Sequence, residues 1–159
     1  MNFVNDEVYS RFREFLDLRN YDNKSETLRV LSLLRKADQE VTLKKAAEAD
    51  VNLTNAFKEV RKELNVYARK SFSCCGSCGS YELATKCKET GKRGYVFYSR
   101  QSKDSLFESG HVYLNFSDCV NESDEATAKL GAEVVKILKR NGVNVEWSGS
   151  DADALKVVV

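Results

Sequence analysis

The hydrophobic pattern of this chain changes its period once, near Asn65, and this change constrains the fold more than any other sequence feature. Before Asn65, apolar residues recur at the three- and four-residue spacing of amphipathic helices. After it come short runs of β-branched and aromatic residues, which favour strands. These runs are VYARKSF, GYVFYS, HVYLNF, VNVEW and LKVVV. Helices followed by strands predict an α+β fold, with a small sheet of about four strands.

Capping residues divide the helical half into candidate helices. One would begin at Asp6, a second after Ser25 and a third after Thr42, since serine, threonine and asparagine are good N-cap residues. A break in the sequence DVN, Asp50–Asn52, would separate the third helix from a fourth. A single bent helix over Thr42–Leu64 is the alternative, because its apolar positions nearly keep one phase.

The second half contains one long amphipathic helix among its strands. Ser123 or Asp124 can cap this helix, and Gly142 is a stop signal after it. The sequence therefore predicts a helical part over residues 1–65 and an α+β part over residues 66–159, in which one helix covers the sheet. The two parts are able to pack as one domain.

Composition predicts a cytoplasmic chain that does not enter a membrane. Of its 159 residues, 42% are hydrophobic, and the formal net charge is +1. No apolar run approaches the ~20 residues of a membrane helix, and the first residues lack the pattern of a secretory signal. The five cysteines are an odd number and the chain has no proline. Without a secretory signal, a disulfide framework is not expected and the thiols should be reduced.

Basic residues are concentrated in one segment. Residues 86–103 carry six lysines and arginines against a single acidic residue, Glu89. The charge on the folded surface should therefore be uneven, although the net charge predicts no general attraction to nucleic acid.

Four of the five cysteines lie in the stretch SFSCCGSCGSYELATKC, and three interpretations of this cluster compete. Cys74, Cys75 and Cys78 can hold zinc, with Cys87 completing a four-ligand site. His111 or Cys119 could supply the fourth ligand instead. In the second interpretation, Cys75 and Cys78 exchange disulfides from the N-terminus of a helix over GSYELATKC. In the third, the cysteines only pack at a tight corner.

The sequence predicts no catalytic residues, because no nucleophile, base and orienting group can be assembled around its single histidine, His111. The leading functional hypothesis is a non-enzymatic intracellular binding or regulatory protein that acts through a protein partner. Inhibition of a host complex is one form of that role. The sequence does not determine the oligomeric state.

DNA binding is an alternative hypothesis. The segment from Thr42 to Phe72 has the outline of a winged helix-turn-helix, in which a capped helix, a short break, a second helix and an extended segment follow one another. The polar face of the second helix carries residue types suited to phosphate and base contacts: Asn55, Lys58, Arg61 and Lys62.

Several motifs between Asn52 and the C-terminal strand together resemble an uncharacterised family of small, mainly bacterial proteins, a domain of unknown function. They are an AF helix, VYARKSF, CCGSCG, RGYVF, HVYLNF and VEWSGS, and the similarity covers roughly Asn52 to Val157. The resemblance implies a shared α+β fold and membership of Cys74, Cys75 and Cys78 in the family motif. It implies no activity, and Cys87 lies outside the pattern.

Overall fold

The computed structural model describes residues 24–159, so the helix predicted to begin at Asp6 lies outside the described residues. The chain separates into two compact units, Met1–Lys45 and Ala46–Val159. Of the first unit, the described part belongs to helix α1, Lys24–Leu64, which continues into the second. The second unit contains the rest of α1 and the whole sheet.

Helix α1 is continuous, so the helix start expected at Thr42 and the break expected at Asp50–Asn52 are both absent. The alternative of one helix over Thr42–Leu64 is confirmed. Its residues include neither glycine nor proline, the two types that interrupt a helix most strongly. The hydroxyl of Thr54 donates to the carbonyl of Asp50 at 2.8 Å, a bond that a threonine inside a helix can make.

Five strands form one sheet in the order β1-β2-β3-β5-β4. They are β1 (Val66–Arg69), β2 (Gly94–Phe97), β3 (His111–Asp118), β4 (Asn144–Glu146) and β5 (Leu155–Val158). β1 and β2 are parallel, whereas the other neighbours are antiparallel. A parallel pair needs a long crossover, and helix α2, Gly76–Thr90, supplies it between β1 and β2.

Three more helical segments follow β2. They are a 3₁₀ turn at Arg100–Ser102, the short helix α3 (Ser105–Ser109) and helix α4 (Asp124–Arg140). The Oγ atom of Ser123 accepts a hydrogen bond from the amide of Ala126 at 3.2 Å, so the predicted cap of α4 is confirmed. The α+β class is confirmed as well, with five strands where about four were expected.

The sheet is covered on both faces, and the side chains of β2 alternate between the two. Val96 and Tyr98 belong to the larger core, to which α1 and α4 also contribute. Tyr95 and Phe97 belong to a smaller core with Leu83 of α2. The period of two in a strand predicts that Tyr95 and Phe97 face one side of the sheet and Val96 and Tyr98 the other, and this alternation is confirmed. In the second half of the chain, two helices, α4 and α2, cover the sheet where one was expected.

The two units divide at Lys45, whereas the sequence pattern changes at Asn65. The reason is that Leu53, Phe57 and Val60 of α1 are fully buried in the same core as the strands. Burial of each such side chain contributes about 1.5–3 kcal/mol, so this half of α1 belongs energetically to the sheet.

A buried carboxylate fixes the corner between β3 and α4. The side chain of Asp118 is fully buried, and its Oδ1 accepts hydrogen bonds from the amides of Val120 and Asn121, both at 3.0 Å. Its Oδ2 accepts from Nε of Arg93 at 3.0 Å. Arg93 is also bonded to Glu133 of α4, so one arginine joins the end of β3 to that helix.

Among residues 24–159, no helix combines the length and the apolar composition needed to cross a bilayer.

Candidate metal centre

The cysteine motif lies at the start of α2, where Cys75 is the N-cap residue. Its backbone is extended, with φ −146° and ψ 174°, and its Sγ accepts a hydrogen bond from the amide of Cys78 at 3.5 Å. An oxygen of serine, threonine or aspartate usually takes this position. A sulfur therefore fills the role of the capping acceptor. Helix α2 includes the GSYELATKC segment, where a helix was expected, but begins three residues earlier, at Gly76.

Three sulfur atoms meet at this turn. The Sγ atoms of Cys74, Cys75 and Cys78 all lie within 4.8 Å of one another. The distance between Cys74 Sγ and Cys75 Sγ is 3.9 Å. Cys74 and Cys78 are exposed, Cys75 is partly exposed, and all three are free thiols. A cation arriving from solvent therefore has direct access to the three predicted ligands.

The three thiols cannot all ionise easily. The amide of Cys78, followed by the thiols of Cys78 and Cys74, lowers the pKa of Cys75. The hydrogen bonds and charges of Cys74 and Cys75 raise the pKa of Cys78 to about 12. Cys75 is thus the first of these two thiols to ionise, whereas further ionisation places negative charges side by side. Bound metal ions relieve this repulsion, because they bind thiolates and displace their protons.

Contacts on both sides hold the turn in place. Before it, the hydroxyl of Ser73 is hydrogen bonded to Oε1 of Glu82 at 2.7 Å. After it, Gly79 lies against the ring of Phe97, and a Cβ atom at Gly79 would stand only 2.3 Å from ring atom Cε2. The glycine that follows the third cysteine is thus required by the close approach of α2 to β2.

We expect Gly79→Ala to lower the free energy of unfolding by about 1–3 kcal/mol, because the buried ring of Phe97 leaves no room for a methyl group. Urea unfolding measures this change. Gly76→Ala is the matched control in the same helical turn, where the nearest atom to a new Cβ is the amide nitrogen of Asn115, at 3.3 Å. Equal costs for the two substitutions would contradict the packing argument.

Cys87, the expected fourth ligand, is not brought into this group. It is buried in the smaller core, and its Sγ donates to the carbonyl of Gly94 at 3.3 Å. Burial raises the pKa of Cys87. Burial, followed by the neighbouring Cys87, raises the pKa of Cys119 to about 12. Both thiols are therefore held in the protonated form, which is a poor metal ligand.

The residues considered for DNA contacts all lie on α1. Asn55, Lys58 and Lys62 are exposed, while Nη1 of Arg61 donates to the carbonyl of Ala68 at 2.9 Å. Because residues 42–64 form one continuous helix, this stretch makes no turn between two helices. The geometry of a helix-turn-helix is thus missing from these residues.

His111 lies at the start of β3, as predicted. Its Nδ1 atom is 3.1 Å from the carbonyl oxygen of Ser109, and its ring packs edge-on against Tyr113. The residues that form the sulfur group do not include it.

A basic cleft beside the cysteines was missed by sequence reasoning. It has a volume of about 530 Å³ and lies between β1, the following loop and α2. Cys74 forms part of its wall, and Arg69, Lys86 and Arg100 line it as well. Lys86 and Arg100 fall in the basic segment 86–103, and that concentration of charge was the sequence signal for a basic surface. The segment could not indicate that Arg69, on β1, joins them.

Comparison with known proteins places the chain in a family. A family model described as a domain of unknown function (DUF6891) matches residues 3–159, which confirms the resemblance and extends it over nearly the whole chain. No curated protein and no solved structure matches the chain.

Proposed function

We propose that this chain, which belongs to the DUF6891 family of domains of unknown function, is a non-enzymatic binding protein whose cysteine turn holds a zinc ion. The carrying observation is the 3.9 Å distance between the sulfurs of Cys74 and Cys75, with Cys78 in the same group. In a tetrahedral zinc site with Zn–S distances of about 2.3 Å, neighbouring sulfurs lie ~3.8 Å apart. Small side-chain rotations would therefore place all three sulfurs around one ion.

Three ligands leave one coordination position of zinc for a donor from outside the turn. Structural zinc sites usually take four protein ligands, whereas sites with three protein ligands keep an open position. A water molecule or a side chain of a partner protein can complete the site. This open position supports the view that the chain acts through a protein partner. Free thiols in turn suit a reducing compartment such as the cytoplasm.

Replacement of any one motif cysteine by serine should weaken zinc binding. Residues that only hydrogen bond to a metal ligand are worth about 10–100-fold in metal affinity, so the loss of a ligand itself should exceed that range. Competition with a chromophoric chelator measures the affinity, and native mass spectrometry of protein never exposed to chelator measures the stoichiometry. The variants should still fold, because Cys74 and Cys78 are exposed and Cys75→Ser retains a capping acceptor at the start of α2.

Cys119→Ser is the matched control, since it removes a cysteine that lies outside the sulfur group. The proposal is supported if the wild type and Cys119→Ser hold one zinc ion per chain and the serine variants of Cys74, Cys75 and Cys78 lose it. Metal-free protein that takes up no zinc on titration contradicts it, as does equal loss of zinc in the control.

Thiol–disulfide exchange is the second candidate, favoured by the position of Cys75 at the N-terminus of a 15-residue helix. The thiolate of Cys75 would attack a substrate disulfide and release one substrate thiolate. Cys78, after losing its proton, would then attack the mixed disulfide and release the second, so that two electrons pass to the substrate. A dithiol reductant would restore the thiols. The test follows the reduction of a small aromatic disulfide. Activity of the wild type that is lost in both Cys75→Ser and Cys78→Ser supports this candidate. Wild-type turnover no faster than that of a variant with both substitutions excludes it.

A further inference from the structure

We infer that the basic cleft beside the cysteine turn is a binding site for a small organic phosphate. The inference goes beyond the proposed zinc site, because it depends on cations and aromatic rings that the sulfur group does not include. The cleft volume of about 530 Å³ lies within the range of ~300–1,000 Å³ that small-molecule sites occupy.

The charge of the cleft is the first argument. Four cations line it, Arg69, Lys70, Lys86 and Arg100, against the single carboxylate of Glu82. Lys70 is paired with Asp50 of α1. Among residues 24–159, the other three cations have no ion pair. An excess of positive charge therefore faces the cleft.

Aromatic rings hold two of these cations without cancelling their charge. The guanidinium carbon of Arg69 lies 5.9 Å from the centre of the Tyr67 ring. The ammonium of Lys86 lies 5.5 Å from the centre of the Phe72 ring. Both rings line the cleft as well. A ring face fixes the position of a cation and leaves its N–H groups free to donate, unlike a carboxylate partner.

The wall of the cleft is held by strained backbone. Ser71 and Ser73 both line it and have φ angles of +50° and +58°, in the left-handed region that serine seldom adopts. Such conformations cost about 1–3 kcal/mol each and tend to cluster at ligand clamps. The hydroxyl of Ser73 is hydrogen bonded to Glu82, and the carbonyl of Ser73 accepts a hydrogen bond from the amide of Arg100 at 3.1 Å. The strained loop is thereby tied to the segment that carries Arg100.

The combination of cations identifies the ligand class. The planar forks of Arg69 and Arg100 suit two oxygens of one phosphate, and Lys86 adds a point charge. A phosphate monoester carries about −1.5 to −2 charges at neutral pH, which matches three cations better than a single carboxylate does. The open cleft can admit the organic part of the ligand beside Tyr67 and Phe72.

Calorimetric titration with inorganic pyrophosphate at constant ionic strength, held with chloride, tests the inference on the full chain. We expect saturable binding that weakens about tenfold in each of Arg69→Gln, Lys86→Gln and Arg100→Gln, because each variant loses a charge-assisted hydrogen bond. Lys136→Gln, which removes an exposed lysine of α4 outside the cleft, is the matched control and should bind like the wild type. Absence of binding, or equal binding by all variants, overturns the inference.

Two further arms identify the source of the phosphate. The first arm uses vesicles that contain a phosphorylated inositol lipid. The second uses a short DNA duplex. Both are tested with the same variants. Binding to pyrophosphate alone supports a free small molecule. Tighter binding to either surface, lost in the same variants, overturns that assignment in favour of a lipid headgroup or a nucleic acid backbone.

The phosphate site and the zinc site can fail separately. A variant with serine at Cys74, Cys75 and Cys78 should lose zinc and still bind pyrophosphate. The three cleft variants should still bind zinc. Loss of pyrophosphate binding in the cysteine variant would overturn the inference that the cations alone form the site.

Discussion

Replacement of Phe97 by alanine is expected to lower the free energy of unfolding by about 3–5 kcal/mol. The ring is fully buried in the smaller core, 6.0 Å from the centre of the Phe72 ring and 5.8 Å from that of Tyr95. Gly79, in the first turn of α2, packs against the same ring. The substitution therefore leaves a cavity directly beneath the cysteine motif. Urea unfolding followed by circular dichroism measures the change.

Tyr113→Ala is the control for the loss of Phe97, because it removes an aromatic ring of β3 that is 49% exposed. Its effect should stay within about 0.5 kcal/mol. The cavity should also relieve the clash that a methyl group causes at Gly79, so Gly79→Ala should cost less in the Phe97→Ala background than in the wild type. Additive costs, or a Phe97→Ala effect as small as that of the control, would show that α2 does not depend on this ring.

Asp118→Ala should lower the free energy of unfolding by about 3 kcal/mol. The substitution leaves the amides of Val120 and Asn121 without their acceptor and removes one of the two carboxylates bonded to Arg93. The remaining bond from Arg93 to Glu133 keeps the expected cost at the lower end of the range for broken buried pairs. Asp118→Asn retains an oxygen acceptor without the charge and should therefore lie between wild type and alanine.

The same carboxylate predicts a stability loss in acid. Burial acts to raise the pKa of Asp118, but hydrogen bonds from Asn121, Arg93 and Val120 outweigh it, so the pKa lies below its usual value. The unfolded chain, with an ordinary aspartate pKa of about 3.9, takes up this proton first as the pH falls. The contribution of Asp118 is therefore present above about pH 4 and is lost as the pH falls through its lower folded-state pKa.

Urea unfolding at a series of acidic pH values measures this dependence. Asp118→Asn should show a shallower loss of stability than the wild type below about pH 4, since it has no carboxyl group to protonate at this position. Parallel stability profiles for the two proteins would contradict the assignment.

Most of the fold could be predicted because its signals are local. The alternation of Tyr95, Val96, Phe97 and Tyr98 identified two buried faces, and Ser123 identified the start of α4. The break at Asp50–Asn52 was predicted wrongly for a local reason as well. Polar residues and possible caps permit a helix end but do not force one, and neither glycine nor proline is present there.

The candidate site was predicted in part. Cys74, Cys75 and Cys78 are close in sequence, so a tight turn was enough to bring their sulfurs together. Cys87 was included because it follows the motif closely in sequence. In the folded chain it lies on the buried face of α2, against β2, where its sulfur meets the carbonyl of Gly94. Nine residues of helix separate Cys87 from Cys78, or about 13 Å at the α-helical rise per residue, so a position on α2 kept Cys87 away from the other three sulfurs.

The sequence by itself determined the α+β class, the alternating faces of β2 and the cysteine turn, since each depends on the spacing of neighbouring residues. Only the tertiary structure decided where Arg69, Lys86 and Arg100 meet. These residues belong to a strand, a helix and a 3₁₀ turn, and the crossover of α2 between two parallel strands places them around one cleft. Spacing along a chain carries no direct record of such contacts, because they depend on how whole elements pack.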